Sequence, residues 1–371
     1  MLKKNIEFKS FLNIKKNKTL EKWLQKKINY YTQQKLVKSF SNNYSYTFQK
    51  INLNKYKNFK NFNIIGMGGS SLGIKAIYSF LKPKIKKNLF FIDNINTKKN
   101  HNKKNKILNI IISKSGNTLE TISNFENLKN KKNNLFICEN SNNYIRRLAN
   151  KLKNEIVEHR NYIGGRYSVL SEVGMLPAKL MGLNPKKFKR FDYLIKNKKF
   201  INSLIENVSS TVSLINKKKL NSIILNFDEN SEDLFKWYQQ LISESLGKKS
   251  KGLLPVVSNL PRDNHSMMQL YLDGPKNSFY TFFDVLDNPK KNYLANIKLA
   301  QKKATQIVFK KKQIPFRTFD LINRSEDSLG EMFTFFMLET ILLGEAIKVN
   351  PFDQPSVELI KTETKKILKN L

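Results

Sequence analysis

Cysteine is all but absent. Cys138 stands alone in 371 residues, which excludes an internal disulfide and fits a reducing compartment. Histidine is scarce too: His101, His159 and His265 are the only three, and the His and Cys residues form no cluster with metal-ligand spacing. No metal cluster is expected from them. Long uncharged apolar runs are missing as well. The best candidate, residues 332–347, carries Glu339 and Glu345, so no bilayer-spanning segment is expected. The N-terminus is rich in Lys and Asn and lacks the apolar segment of a signal peptide. A soluble, cytoplasmic protein without a membrane partner is the expectation.

Acidic residues are also few, 29 against 67 Lys and Arg, for a formal charge of +38. Alone, that excess would point to nucleic acid or an anionic surface. It is mostly Lys, however, and it travels with abundant Asn and Ile along the whole chain, the pattern of an AT-rich coding bias. No RNP aromatic motif, zinc-finger spacing or basic zipper accompanies it. Nucleic acid is therefore not the expected partner, and salt-sensitive retention on DNA would be the sign of that rival reading.

What is present is a repeated turn chemistry. An apolar run at 107–112 leads into Ser113-Lys114-Ser115-Gly116-Asn117-Thr118-Leu119-Glu120-Thr121 and then an amphipathic pattern to residue 128. That order reads as a buried strand, a hydroxyl-rich turn and a helix N-terminus. Free backbone N–H groups, hydroxyls and one ammonium there suit a phosphate-sized anion. A second such turn comes earlier: the strand pattern 61–65 runs into Gly66-Met67-Gly68-Gly69-Ser70-Ser71-Leu72-Gly73 and a helical pattern. Closely spaced glycines let a backbone approach a ligand.

The glycine turn is a near miss for a dinucleotide fingerprint, because Ser71 occupies the third glycine position, although Asp93 ends the next strand about where a ribose-binding acid would sit. A Walker loop is excluded by the missing Lys-Ser/Thr. The cluster Lys98, Lys99, Lys103 and Lys104 reads as a solvated loop. Strand and helix patterns continue at 134–138 and 144–152. Gly164-Gly165-Arg166 then aims a guanidinium from a turn before a helix that Pro177 would bend.

A basic link, 185–190, separates a second unit. Its helix 231–246 carries Gln240 and Glu244 four apart on one face, and Gly247 closes it beside the next loop. Further strands flank Leu260-Pro261-Arg262-Asp263-Asn264-His265. The end of the chain turns at Asn350-Pro351-Phe352-Asp353-Gln354-Pro355 into a last helix with Lys361 on its second turn.

The segments GMGGSSLG, SKSGNTLET, GGRYSVLSEVG, ESLGK, NHSMMQLYLDGP and NPFDQPSVELIK occur in this order from Gly66 to Lys361. Together they resemble the phosphoglucose isomerase family. The resemblance implies an α/β fold of two α/β/α sandwich (SIS-type) domains with mostly parallel sheets. By it, residues 1–55 form an N-terminal helical segment, 56–190 a first, phosphate-binding domain, 191–349 a second, and 350–371 a C-terminal helix completing the active site. It further implies interconversion of glucose 6-phosphate and fructose 6-phosphate without a cofactor. Glu244 matches the base, Arg166 the enediolate-stabilising cation, and His265 and Lys361 the ring-opening residues. Ser113, Lys114, Ser115 and Thr118 match the phosphate site, with Gly69 and Ser70 from the glycine turn, and Gln240 and Gln354 match sugar contacts. A homodimer is implied, with His265 supplied across the interface.

Three features depart from the family pattern: a short N-terminal region, the Leu-Pro-Arg-Asp-Asn path into His265, and Ser356 where Gly is common. Two rivals share the phosphate loop. A dual phosphoglucose/phosphomannose isomerase would turn over mannose 6-phosphate, and a non-catalytic sugar-phosphate-binding module would have no need of Glu244, His265 and Lys361 together.

Overall fold

The structure is a computed structural model that describes residues 5–12, 14, 17–95, 106–287 and 293–370. His101 and the lysines at 98, 99, 103 and 104 lie outside these residues. The described chain builds two five-stranded sheets.

The first sheet contains β2 (Asn61–Ile65), β3 (Asn88–Ile92), β4 (Ile107–Ile112), β5 (Asn134–Glu139) and β6 (Glu155–His159), ordered β3-β2-β4-β5-β6 and parallel throughout. Runs such as Ile107–Ile112, buried at all but the first position, lack polar alternation because helices cover both faces of a parallel sheet. The chain leaves β2 toward β3 on one side and continues from β4 toward β5 on the other. The C-terminal ends of β2 and β4 therefore flank a topological switch point, where open α/β sheets bind ligands. Both turns singled out by the sequence, 66–73 and 113–121, leave these two adjacent strands.

The second sheet holds β1 (Ile6–Lys9), β7 (Asn221–Asn226), β8 (Leu254–Asn259), β9 (Ser278–Val285) and β10 (Phe316–Leu321), in the order β1-β10-β9-β7-β8. All pairings are parallel except β1, which lies antiparallel on β10. The N-terminal segment is thus not only helical, because its first element completes the second domain's sheet. The rest of that segment straps both domains. Its helix Lys18–Thr32 reaches the second through Tyr31, which donates to Glu345 (2.7 Å). Further along, the Thr47 hydroxyl donates to the Glu158 carbonyl (2.7 Å) and the Tyr44 hydroxyl to buried Glu172 (2.8 Å) of the first.

Glu326–Ala346, a long apolar helix, runs through the interior with residues 328–344 all buried. Among the described residues, no helix is long and apolar enough to cross a membrane. In the basic link Lys186 and Lys187 are exposed, but the next lysine is packed. Lys189 is buried, donates to the Ser39 and Leu170 carbonyls, and lies over the Tyr44 and Tyr46 rings at 4.6 and 4.9 Å. Such carbonyl and ring contacts compensate a desolvated ammonium.

Beneath the second sheet, Arg317 and Glu339 form an ion pair, each about 1% exposed. Arg317 also donates to Thr281 (2.9 Å) and Asn207 (2.9 Å). Replacing Arg317 by Met strands the Glu339 carboxylate in the core, a loss of about 3–5 kcal/mol. Urea unfolding is expected to show that drop for Arg317→Met and recovery of most of it in Arg317→Met/Glu339→Leu. Equal losses in both variants would contradict this account of the pair.

Candidate active site

The site grows from the two switch-point turns. After β2 the chain makes a short turn, Gly68–Ser70, and enters the helix Leu72–Phe80. A Cβ at Gly69 would sit 2.3 Å from the Gly165 carbonyl, so only glycine lets the two glycine turns touch backbone to backbone. The contact seats the next turn, Gly165–Leu170, directly against the first. Asp93, the acid weighed as a ribose ligand, instead pairs with Lys75 (2.6 Å) and accepts from Ser71 Oγ (3.1 Å). It is occupied in holding the start of the helix Leu72–Phe80.

After β4, Ser113 is buried, and its Oγ accepts the Gly116 N–H (3.1 Å) and lies 3.0 Å from Thr118 Oγ1. Gly116 has φ +66°, and a Cβ there would fall 1.9 Å from Asn143 Oδ1. The turn is therefore locked by β5's following loop, with Ile145 N–H donating to the Gly116 carbonyl (3.0 Å) and Tyr144 N–H to Asn117 Oδ1 (3.0 Å). Thr118 caps the helix Leu119–Glu126 without a side-chain cap bond, which leaves the first-turn N–H groups for an outside acceptor. Ser115 is exposed at the tip. Lys114 is turned aside: its ammonium donates to the Asn161 carbonyl (2.9 Å) and lies 3.5 Å from Glu139.

Arg166 gathers the rest. Its side chain is only 3% exposed, and all five N–H groups are engaged. Nε donates to Ser245 Oγ (2.8 Å); Nη1 donates to Glu244 Oε2 (3.2 Å) and Gln354 Oε1 (2.8 Å); Nη2 donates to the Pro351 (2.8 Å) and Asp353 (2.9 Å) carbonyls. The other Glu244 oxygen accepts from Gln240 Nε2 (2.9 Å), the i to i+4 reach along the helix Glu232–Leu246. Gln240 in turn faces Gly68. Tyr167 and Ser245 finish the frame, the Tyr167 hydroxyl lying 3.1 Å from Ser245 Oγ and donating to the Pro351 carbonyl (3.2 Å). Burial pushes the Tyr167 phenol up, so it stays a donor.

Arg166, Glu244, Gln240 and Gln354 are thus brought into one group beside Gly69 and Ser70, with the 113–121 turn on the adjacent strand. His265 and Lys361 do not join them within the chain. His265 is exposed after the turn Arg262–Asn264, and Lys361 is exposed and paired with Glu358 (2.6 Å). Sequence reasoning missed Tyr167 and Ser245. Each stands beside a residue it did single out, and only their long-range bonds give them a task. Among the described residues no group of three or more His, Cys, Asp or Glu could hold a metal ion.

The phosphoglucose isomerase family profile matches residues 30–253. The glucose-6-phosphate isomerase of Methanocaldococcus jannaschii is 32% identical over 350 residues, covering 85% of this chain and 86% of that protein. Among solved structures, a hypothetical protein from Thermus thermophilus superposes with a TM-score of 0.76 at 21% identity, with 95% of both chains covered. A glucose-6-phosphate isomerase from Chlamydia trachomatis follows at 0.72 and 19%, covering 85% of this chain and 70% of that one. These two likenesses show the fold.

His159 supplies a pH test of this framework. It ends β6, is buried, and shares its Nε2 with the Ile163 carbonyl (3.1 Å) just before the Arg166 turn. Burial, aided by the nearby Lys114 ammonium and opposed by that carbonyl, lowers its pKa from 6.5 to about 4. Because the native value lies below the unfolded one, the unfolded chain binds the proton first. Stability is unaffected above pH 6.5 and falls as pH drops toward 4, by about 3 kcal/mol in all. Urea unfolding across that window should show the slope in the parent chain and a flatter one in His159→Gln; equal slopes would contradict the assignment.

Proposed function

Because this chain belongs to the phosphoglucose isomerase family, we propose that it interconverts glucose 6-phosphate and fructose 6-phosphate through an enediolate, with Glu244 as the base. The observation that carries this reading is the double hold on Glu244: Gln240 on one oxygen and buried Arg166 on the other. A carboxylate so fixed keeps one direction for proton transfer, the geometric requirement of general-base catalysis.

In the open-chain aldose, Glu244 takes the proton from C2. The C2–H electron pair forms the C1–C2 double bond, and the carbonyl π pair moves onto O1. A proton passes from O2 to O1, Glu244 returns its own proton to C1, and the ketose results. Every atom and electron stays within the sugar and the carboxyl, so the reaction calls for no redox partner. The enediolate charge forms next to Arg166, where a fixed cation in a dry site acts most strongly. Three of its N–H groups hold Ser245 and two backbone carbonyls; the two on Nη1 face side chains. The Nη1 pair is therefore the part that exchanges partners when a sugar oxygen arrives, with Gln354 the group released. Ser113, Ser115, Thr118 and the first-turn N–H groups anchor the phosphate. Lys114 joins them by leaving Asn161. Binding energy there positions the reacting carbons.

His265 and Lys361 open the sugar ring in this reading. Exposure of His265 on its own chain suits a residue delivered to a second copy, so the working unit is a homodimer. Glu244→Gln is expected to lose turnover in a coupled fructose 6-phosphate assay with EDTA present, while sugar phosphate still raises its melting temperature. Mixing Glu244→Gln with inactive His265→Gln during refolding should restore about a quarter of parental activity, since half of the dimers are mixed and each carries one intact site. Retained turnover in Glu244→Gln would remove it as the base. No recovery on mixing would place His265 in its own chain's site.

A further inference from the structure

A cavity of about 660 Å³ opens on the far side of the Arg160–Ile163 turn, between that turn, the 32–45 segment and Phe191. It shares no lining residue with the isomerase group, and its charge is unusual even in so basic a chain. Lys35, Lys38 and Arg160 line it, and among the described residues none of the three has an acid or carbonyl within hydrogen-bonding reach of its side chain. Arg160 is the informative one. The chain has eight arginines among its 67 basic residues, and Arg166, Arg190, Arg317 and Arg324 are each clamped to carboxylates. Arg160 is half-buried, with an Nε–H shut away from solvent and unpartnered.

The rest of the lining is compatible. Asp192, the one acid, is already taken by Ser41 Oγ and Asn42 N–H, both at 2.8 Å. It leaves a net +2 from these side chains. The Tyr44 hydroxyl is turned away to Glu172. Tyr162 and Phe191 add ring surface to the wall.

We propose that this cavity binds a small phosphorylated metabolite, its phosphate dianion held by Arg160 with Lys38 and Lys35. A charge of −2 matches the lining, a guanidinium fork suits a phosphate, and the volume lies in the range of small-ligand sites, about 300–1,000 Å³. The Asn161 carbonyl, next to Arg160, is the acceptor that holds Lys114 of the phosphate turn (2.9 Å).

The test uses inorganic phosphate as the probe and calorimetry as the readout. Arg160→Gln is expected to weaken one phosphate-binding event about tenfold, and Lys38→Gln to weaken the same event less. The inhibition constant of phosphate against fructose 6-phosphate turnover, which reports the isomerase site, should stay within about twofold in both. If neither variant weakens binding, or if the inhibition constant moves in step with it, the second site does not exist. Absence of turnover would count against the isomerase reading alone, since the calorimetric comparison stands without it.

Discussion

Burying one guanidinium is the constraint on which the rest of the structure depends. Arg166 carries a full charge at 3% exposure, and desolvating such a group is unfavourable by several kcal/mol unless every donor finds an acceptor. Its five acceptors come from three places: Ser245 and Glu244 on a second-domain helix, Gln354 beside the C-terminal helix, and the Pro351 and Asp353 carbonyls. Arg166 itself rides on a first-domain turn. Neither domain alone can satisfy it. The group therefore forms only when both domains and the 350–354 turn are seated, and the carboxylate is positioned by the act of folding.

Close backbone packing makes this possible. The Gly69–Gly165 contact brings the Arg166 turn against the turn that follows β2, and the helix Leu72–Phe80 packs beside Glu232–Leu246. Arg324 adds a second clasp, reaching Asp228 (2.6 Å) and Asp287 (2.9 Å) in its own domain and the Phe80 carbonyl (3.1 Å) in the other. The 113–118 turn is held differently, by its own Ser113 and by Asn143. In the proposed reaction this is a sound division: the 113–118 turn would hold the inert end of a substrate and Glu244 would act on the reacting end.

Much of this was legible in the chain. Strands buried on both faces announce themselves as apolar runs, and β4 and β5 are legible that way. Alternation with charge hides a strand, which is why Glu155–His159 escaped notice. β1 is four residues long with two charges, and its partner β10 lies more than 300 residues away. Several of the proposed site residues sit in turns of distinctive composition, so Arg166 and the 113–118 loop stand out. Ser245 and Tyr167 did not, because a serine or tyrosine has no mark of its own until the fold brings Arg166 and Pro351 to it. The resemblance named His265 and Lys361, but no intrachain pattern says where an exposed side chain is used.

The most direct test is solvent deuterium exchange into C1 of fructose 6-phosphate, comparing the parent chain with Arg166→Lys. Lysine offers three donors on a flexible stem and cannot reproduce the fork. The account predicts exchange in the parent chain and a loss of about a hundredfold or more in the variant, with sugar phosphate still bound at the 113–118 turn. Exchange within a few-fold of the parent chain would show that Glu244 works without this hold, and would contradict the account.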